Sequence, residues 1–284
     1  MNKFKEKFMS GVFLFTALAS ILSVAMICFF LFANGLPAMQ EIGVVKFLFG
    51  TEWRPKNNIF GIFPMIIGSI YITAGAIIIG VPIGILTAVF MAKYCPKNLY
   101  KVLKPAIELL AGIPSVIYGF FGLVVIVPFI RDHFEGNGFN IISASLLLGI
   151  MILPTIVNVS ESSIRAVPES YYEGALALGA THERSIFLTV LPAAKSGIFA
   201  GVILGIGRAI GETMAVIMVA GNQTRIPDSI FKGVRTLTAN IVTEMGYAVD
   251  LHRGALIATG VVLFVFILII NISFSILKMK GKNA

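Results

Sequence analysis

Arg208 and Glu212 are the only charged residues in the run Ser196–Asn222, and they stand four residues apart. Gly197, Gly201 and Gly205 repeat at the same interval, the small-xxx-small spacing that lets two helices approach closely. With about 100° of turn per residue and Gly197 set to zero, Gly201 and Gly205 fall near 40° and 80°, Arg208 near 20° and Glu212 near 60°. Both charges therefore share the glycine face, where they meet protein or a wet cavity and not lipid. A charge at mid-helix costs at least about 2.5–3.5 kcal/mol to insert, so two of them need a reason to be there. Spacing of four permits an ion pair. One reading is a structural pair that locks two subunits together. The reading we favour is a charged wall of a transport path, which is what intramembrane charges usually mark. A second group of donors, Arg235-Thr236-Leu237-Thr238-Ala239-Asn240, suits an oxyanion and suits a solvated external loop equally well. Glu108 stands four residues from Lys104, as a partner for that charge or for a helix N-terminus.

Other chemistries lack their residues. No G-x-x-x-x-G-K-[ST] phosphate loop is present, and Gly205–Gly211 (GIGRAIG) lies within an apolar run with no strand before it. Neither G-x-S-x-G nor H-E-x-x-H occurs, and His133, His182 and His252 fall in three separate loops, which argues against a metal site. The expectation is a non-catalytic chain with no cofactor or metal, dependent on another chain for any ATP hydrolysis. The two cysteines, Cys28 and Cys95, read as unpaired.

Between the apolar runs, Tyr172–Pro192 is helical in pattern yet too polar for a membrane. Pro168 and Glu169 suit a helix start, and Gly179 suits a left-handed cap. Thr181 can cap a second helix with Glu183 in its first turn, Ile186, Phe187, Val190 and Leu191 give it an apolar side, and Pro192 is expected to stop it.

The elements that position these groups are membrane spans. Of 284 residues, 57% are hydrophobic and 13% charged, with a mean hydropathy of +0.92. Soluble domains carry about a quarter charged residues. The expected class is all-α, with six spans in one domain over residues 1–284: about 10–33, 64–91, 106–130, 141–160, 196–222 and 255–277. A polar connecting loop covers about 165–195. The first apolar run is longer than the core of a signal peptide and reads as an uncleaved span. Gly80-Val81-Pro82-Ile83-Gly84 should bend the second span, and Pro154 should interrupt the fourth. Trp53, the single tryptophan, stands where an interfacial aromatic would sit. The net charge of +8 arises from short basic clusters beside apolar runs, a pattern of membrane orientation and not of nucleic-acid binding. Thirteen Lys and Arg flank the runs on the side of the N-terminus, Lys282 among them, against eight on the other. That excess predicts cytoplasmic termini and a cytoplasmic 165–195 loop.

Four stretches resemble a known family. Glu173-Gly174-Ala175, Gly179 and Leu191-Pro192 match in order the EAA loop of ABC-importer permeases, although the family has Ala where this chain has Gly174. Glu108–Leu123 (ELLAGIPSVIYGFFGL), Gly207–Val216 (GRAIGETMAV) and Val234–Ile241 (VRTLTANI) resemble the phosphate-importer permeases, and Met214-Ala215-Val216 is closer to the PstC type than to its PstA-type partner. The resemblance implies a multi-pass protein of a prokaryotic cytoplasmic membrane that passes inorganic phosphate inward. It implies as partners a second homologous permease subunit, a dimeric cytoplasmic ATPase and an extracytoplasmic phosphate-binding protein. Glu173, Gly179, Ile186, Leu191 and Pro192 would couple to the ATPase. Arg208, Glu212, Thr213, Thr236 and Asn240 would line the path. Two alternatives stay open: an importer of another oxyanion such as sulfate or molybdate, and a proton-coupled carrier using Arg208–Glu212 as a relay.

Overall fold

The computed structural model describes the backbone of residues 3–280, and the side chains from residue 5 with a few near the C-terminus excepted. Lys282 lies outside the described residues. A long helix α1 (Lys3–Ile42) leads into a short α2 (Val44–Phe49). Strands β1 (Trp53–Arg54) and β2 (Ile59–Phe60) form a small antiparallel hairpin. Then follow α3 (Phe63–Val89), α4 (Lys97–Gly112), α5 (Ser115–Phe121), α6 (Val127–His133) and α7 (Ile141–Arg165). The chain continues through α8 (Glu169–Ala177), α9 (His182–Ser185), α10 (Leu191–Gly211), α11 (Met214–Val219), α12 (Leu237–Met245) and α13 (Asp250–Lys280). Among the described residues, six helical segments are long and apolar enough to cross a membrane: Lys5–Ile42, Phe63–Tyr94, Ser115–His133, Ile141–Arg165, His182–Gly211 and Asp250–Ser273.

Helix α7 is the hub, with two-thirds of its most apolar stretch buried. Glycines decide which helices flank it. On α3, a Cβ at Gly75, Gly80 or Gly84 would strike Ser145, Gly149 with Ile152, or Ile156 of α7. On α10, one at Gly197, Gly201 or Gly205 would strike Ser163, Ser160 with Val159, or Ile156. In lipid no hydrophobic force drives helix onto helix, so close backbone packing of this kind selects the partner. The glycine stripe of α10 is thus spent on α7 of the same chain.

Several expected elements differ. The third span is not continuous over 106–130: Ile113 is extended ahead of Pro114, and α4 ends before α5 begins. A residue before proline is pushed out of the helical region, which accounts for the break. The fifth span is not continuous to Asn222, because α10 ends at Gly211 and Glu212 is extended. The Thr238 hydroxyl donates to the Glu212 carbonyl at 3.0 Å, so the freed backbone group is satisfied. Conversely, α7 runs unbroken through Pro154 and α3 through Pro82.

Pro192 does not stop a helix. It sits in the first turn of α10, which continues α9 through a π-turn at Ile186–Val190. Three such turns occur among the described residues, and each ends one residue short of a residue–proline pair. The N–H groups of Cys95, Val127 and Leu191 bond the carbonyls of Phe90, Gly122 and Ile186, five residues back, just before Pro96, Pro128 and Pro192. A proline ring clashes with the carbonyl four residues earlier and brings no N–H, and a widened turn relieves that clash. At Pro128 and Pro192 the helix then proceeds; at Pro96 it ends and α4 starts.

Candidate functional site

Arg208 sits three residues before the end of α10, partly buried, with one guanidinium nitrogen 3.5 Å from the Thr155 hydroxyl of α7. Glu212 does not pair with it. The chain has already left the helix at Glu212, and its carboxylate turns forward to accept the Ala215 N–H at 3.2 Å, capping α11. Thr213 is the residue before α11, partly buried, its hydroxyl donating to the Gly211 carbonyl at 3.2 Å. Among the described residues neither charge is in an ion pair. The expected i,i+4 pair is therefore replaced by a guanidinium that keeps its charge and a carboxylate used as a cap. An uncompensated positive charge in low dielectric is a strong attractor for an anion. Tyr118 of α5 bridges the break after α4, its hydroxyl donating to the Leu110 carbonyl at 2.8 Å.

Near the N-terminal end of α3, a second charged cluster forms around Glu244 of α12, whose side chain is 8% exposed. It accepts from Trp53 Nε1 at 2.8 Å, lies 2.9 Å from His252 Nε2, and pairs with Arg235. Arg235 also reaches Asn240 Oδ1 at 3.1 Å and the Asn222 carbonyl at 3.2 Å. Thr236 caps α12, accepting from the Ala239 N–H. Thr236 and Asn240 are buried, and Asn240 Nδ2 has no partner. This segment is not a solvated loop: its donors brace the hairpin, α12 and α13 against one another. Trp53, only 5% exposed, is likewise not an interfacial anchor but part of that brace, edge-on to Phe60. Ser69 of α3 accepts the Leu237 N–H and ties the layer to the bundle.

At the other end of α3 lies the α8–α9 segment. Pro168 precedes α8, Gly179 takes φ +86° between the two helices, and the Thr181 hydroxyl accepts the Arg184 N–H to start α9. Only a residue without Cβ takes that conformation cheaply. Ile186 is fully buried and Leu191 packs on the same cluster with Met91, Val157 and Ile164, so these two hold the segment to the bundle. Glu173, Gly179 and Pro192 are exposed. Leu178, beside the glycine, is 91% exposed, an apolar tip that sequence reasoning missed. Lys93 anchors the segment through Glu169 at 3.4 Å, and the Tyr172 hydroxyl meets His182 Nδ1 at 2.7 Å.

A third charged group was also missed. Glu161 of α7 is 1% exposed, and its carboxylate accepts from Tyr100 at 2.7 Å, Lys104 at 2.9 Å and Arg165 at 2.8 Å. The hydrogen bond to Glu161, then burial, holds the Tyr100 phenol above its ordinary pKa, so it stays a donor. Its one sequence signal was an acid four residues before Arg165 at the end of an apolar run. Lys104 does lie near Glu108, at 3.8 Å, but its shorter contact is to Glu161.

The family described as "Binding-protein-dependent transport system inner membrane component" matches residues 80–280. A probable ABC transporter permease protein of Bacillus subtilis, YqgH, is 40% identical over 266 residues, covering 90% of this chain and 86% of the relative. The phosphate transport system permease protein PstC of Mesorhizobium japonicum is 37% identical over 261 residues, covering 84% and 80%. A probable PstC of Methanocaldococcus jannaschii is 33% identical over 266 residues, covering 86% and 84%. Among solved structures, a bacterial alginate ABC transporter in complex with its pentasaccharide-bound periplasmic protein aligns with a TM-score of 0.58 at 18% identity, covering 90% of this chain and 92% of that one. An inward-facing MetNI methionine ABC transporter aligns at 0.58 and 20% identity, covering 78% and 94%. At such identities the structures speak for the fold alone.

Proposed function

The chain belongs to the binding-protein-dependent transport system inner membrane components, and from that premise we propose that it is the PstC-type membrane subunit of an ATP-driven phosphate importer. The observation that carries the reading is Arg208: a guanidinium at the end of a glycine-packed span, hydrogen-bonded to Thr155 and free of any carboxylate partner among the described residues. A dianion entering between helices needs such a charge, and it gains little where a carboxylate already neutralises it. The relatives named for phosphate transport supply the identity of the anion.

In this reading both termini and the α8–α9 segment face the cytoplasm, where the basic residues are in excess. Leu178 and Glu173 are offered to a dimeric ATPase, while buried Ile186 and partly buried Leu191 carry its movement into the bundle. A second, homologous permease completes the path beside α10, and a phosphate-binding protein delivers substrate on the opposite face. ATP binding and hydrolysis in the separate ATPase tilt the bundle between its two open states. The lack of contact between Arg208 and Glu212 weighs against a proton relay along them. Radiolabelled phosphate uptake, with sulfate and molybdate as competitors, tests the assignment. ATP-dependent uptake that an excess of either competitor leaves intact is expected. Uptake abolished by sulfate or molybdate, or driven by a proton gradient without ATP, would overturn it.

A further inference from the structure

Glu161 has no part in the path or in the segment offered to an ATPase, yet it is a buried acid held by three side-chain donors. Its three donors come from α4 (Tyr100, Lys104) and from the last turn of α7 (Arg165). Arg165 extends the link to the π-turn that follows α3 by donating to the Met91 carbonyl at 2.6 Å, and its guanidinium lies over the Tyr100 ring at 4.5 Å. Arg165 stands just four residues before α8. From α4 the chain runs directly to the Ile113-Pro114 break and into α5. One carboxylate thus joins the root of the α8 segment to the helix that leads into the bundle's interior.

The connection continues along α7. Thr155, Asn158 and Glu161 follow at intervals of three, and each meets a cation from another helix. Arg208 of α10 reaches Thr155 at 3.5 Å, Lys104 of α4 reaches Asn158 at 2.9 Å, and the same Lys104 reaches Glu161. A contiguous polar stripe therefore runs from the proposed coupling end to the proposed anion charge. For packing alone, apolar side chains of the same volume would be cheaper than a desolvated acid with two cations.

We propose that Glu161 is a positioning residue that clamps α4 to the α7–α8 junction, so that movement of the coupling segment is passed to the α4–α5 break and not lost at the end of α7. The proposal rests on the importer reading for what the movement accomplishes, and on the geometry alone for the clamp. Without the carboxylate, α8 can still follow an ATPase, but α4 no longer follows α8.

The test uses the whole complex, with the second permease and the ATPase, in lipid vesicles. Glu161→Gln is expected to co-purify normally and keep basal ATP hydrolysis, while uptake and its stimulation by the phosphate-loaded binding protein fall about tenfold. Tyr100→Phe, which removes one neutral donor and no volume, should show the same pattern more weakly. Spin labels at exposed Asn98 on α4 and Ser170 on α8 read the clamp directly. Their separation should be one narrow distribution in the unaltered chain and broaden in both variants. Full stimulated uptake in Glu161→Gln, or unchanged label distances, would overturn the proposal. So would a loss of uptake that merely tracks lost assembly; should Glu161→Gln not assemble, Tyr100→Phe decides by the same measures. If the unaltered complex shows no ATP-driven phosphate uptake, the importer reading is at fault, and the label distances still report on the clamp.

Discussion

At the scale of single residues, the charges of this protein divide by whether they are answered. Glu161 and Glu244 each collect three donors, whereas among the described residues Arg208 has only a threonine hydroxyl. Arg208→Gln is therefore expected to cut phosphate uptake severely while the protein inserts and assembles, because no partner is left stranded. Glu212→Gln keeps an amide oxygen able to accept the Ala215 N–H, so it should lower uptake only modestly. Since the two side chains do not touch, the double neutral variant should not recover what Arg208→Gln loses. Recovery of full uptake in a double-mutant cycle would restore the ion-pair reading. Glu244→Gln differs in kind. It leaves the partly buried Arg235 without its counter-charge, at up to about 3–5 kcal/mol, and thermal melting in detergent should show the loss directly. An unchanged melting temperature would mean the cluster contributes no stability.

At the scale of elements, glycines and prolines set the geometry. The left-handed turn at Gly179 aims α8 and α9, and Gly179→Pro is incompatible with φ +86° because the pyrrolidine ring holds φ near −65°. Uptake should disappear with insertion intact, as uptake assays beside membrane fractionation would reveal; transport at the normal rate would remove the coupling role of this segment. The helix breaks were partly legible. Ile113-Pro114 broke as a residue–proline pair does, but Pro154, Pro82 and Pro192 did not stop their helices. What decides is whether neighbours or a π-turn can satisfy the freed carbonyls, and that depends on packing.

For the whole molecule, topology follows from where the lysines and arginines lie. A cysteine at exposed Ser170 of α8 should be shielded from an impermeant reagent added outside intact cells, and one at exposed Asn57, in the hairpin layer, should react. Labelling at 170 from outside would invert the orientation. The layered arrangement also bears on what crosses the membrane. The Glu244 cluster closes one end with residues already bonded to each other, so Thr236 and Asn240 meet an anion only if that layer opens.

The class of the protein was determined by sequence alone. Six runs long enough to span, basic clusters between them and a polar helix–glycine–helix follow from composition and short-range spacing, because hydropathy and turn chemistry are local properties. Local spacing also placed Arg208 on the glycine face of its helix. It did not determine what that face meets. Tertiary structure assigned the stripe to α7, turned Glu212 away from Arg208, and brought Trp53 to Glu244 across 191 residues and Lys104 to Glu161 across 57. Helices in a membrane are apolar on nearly every side, so hydropathy cannot say which pairs pack. Close approach of small residues and the need of each buried charge for a partner settle that, and both act between segments distant in the chain.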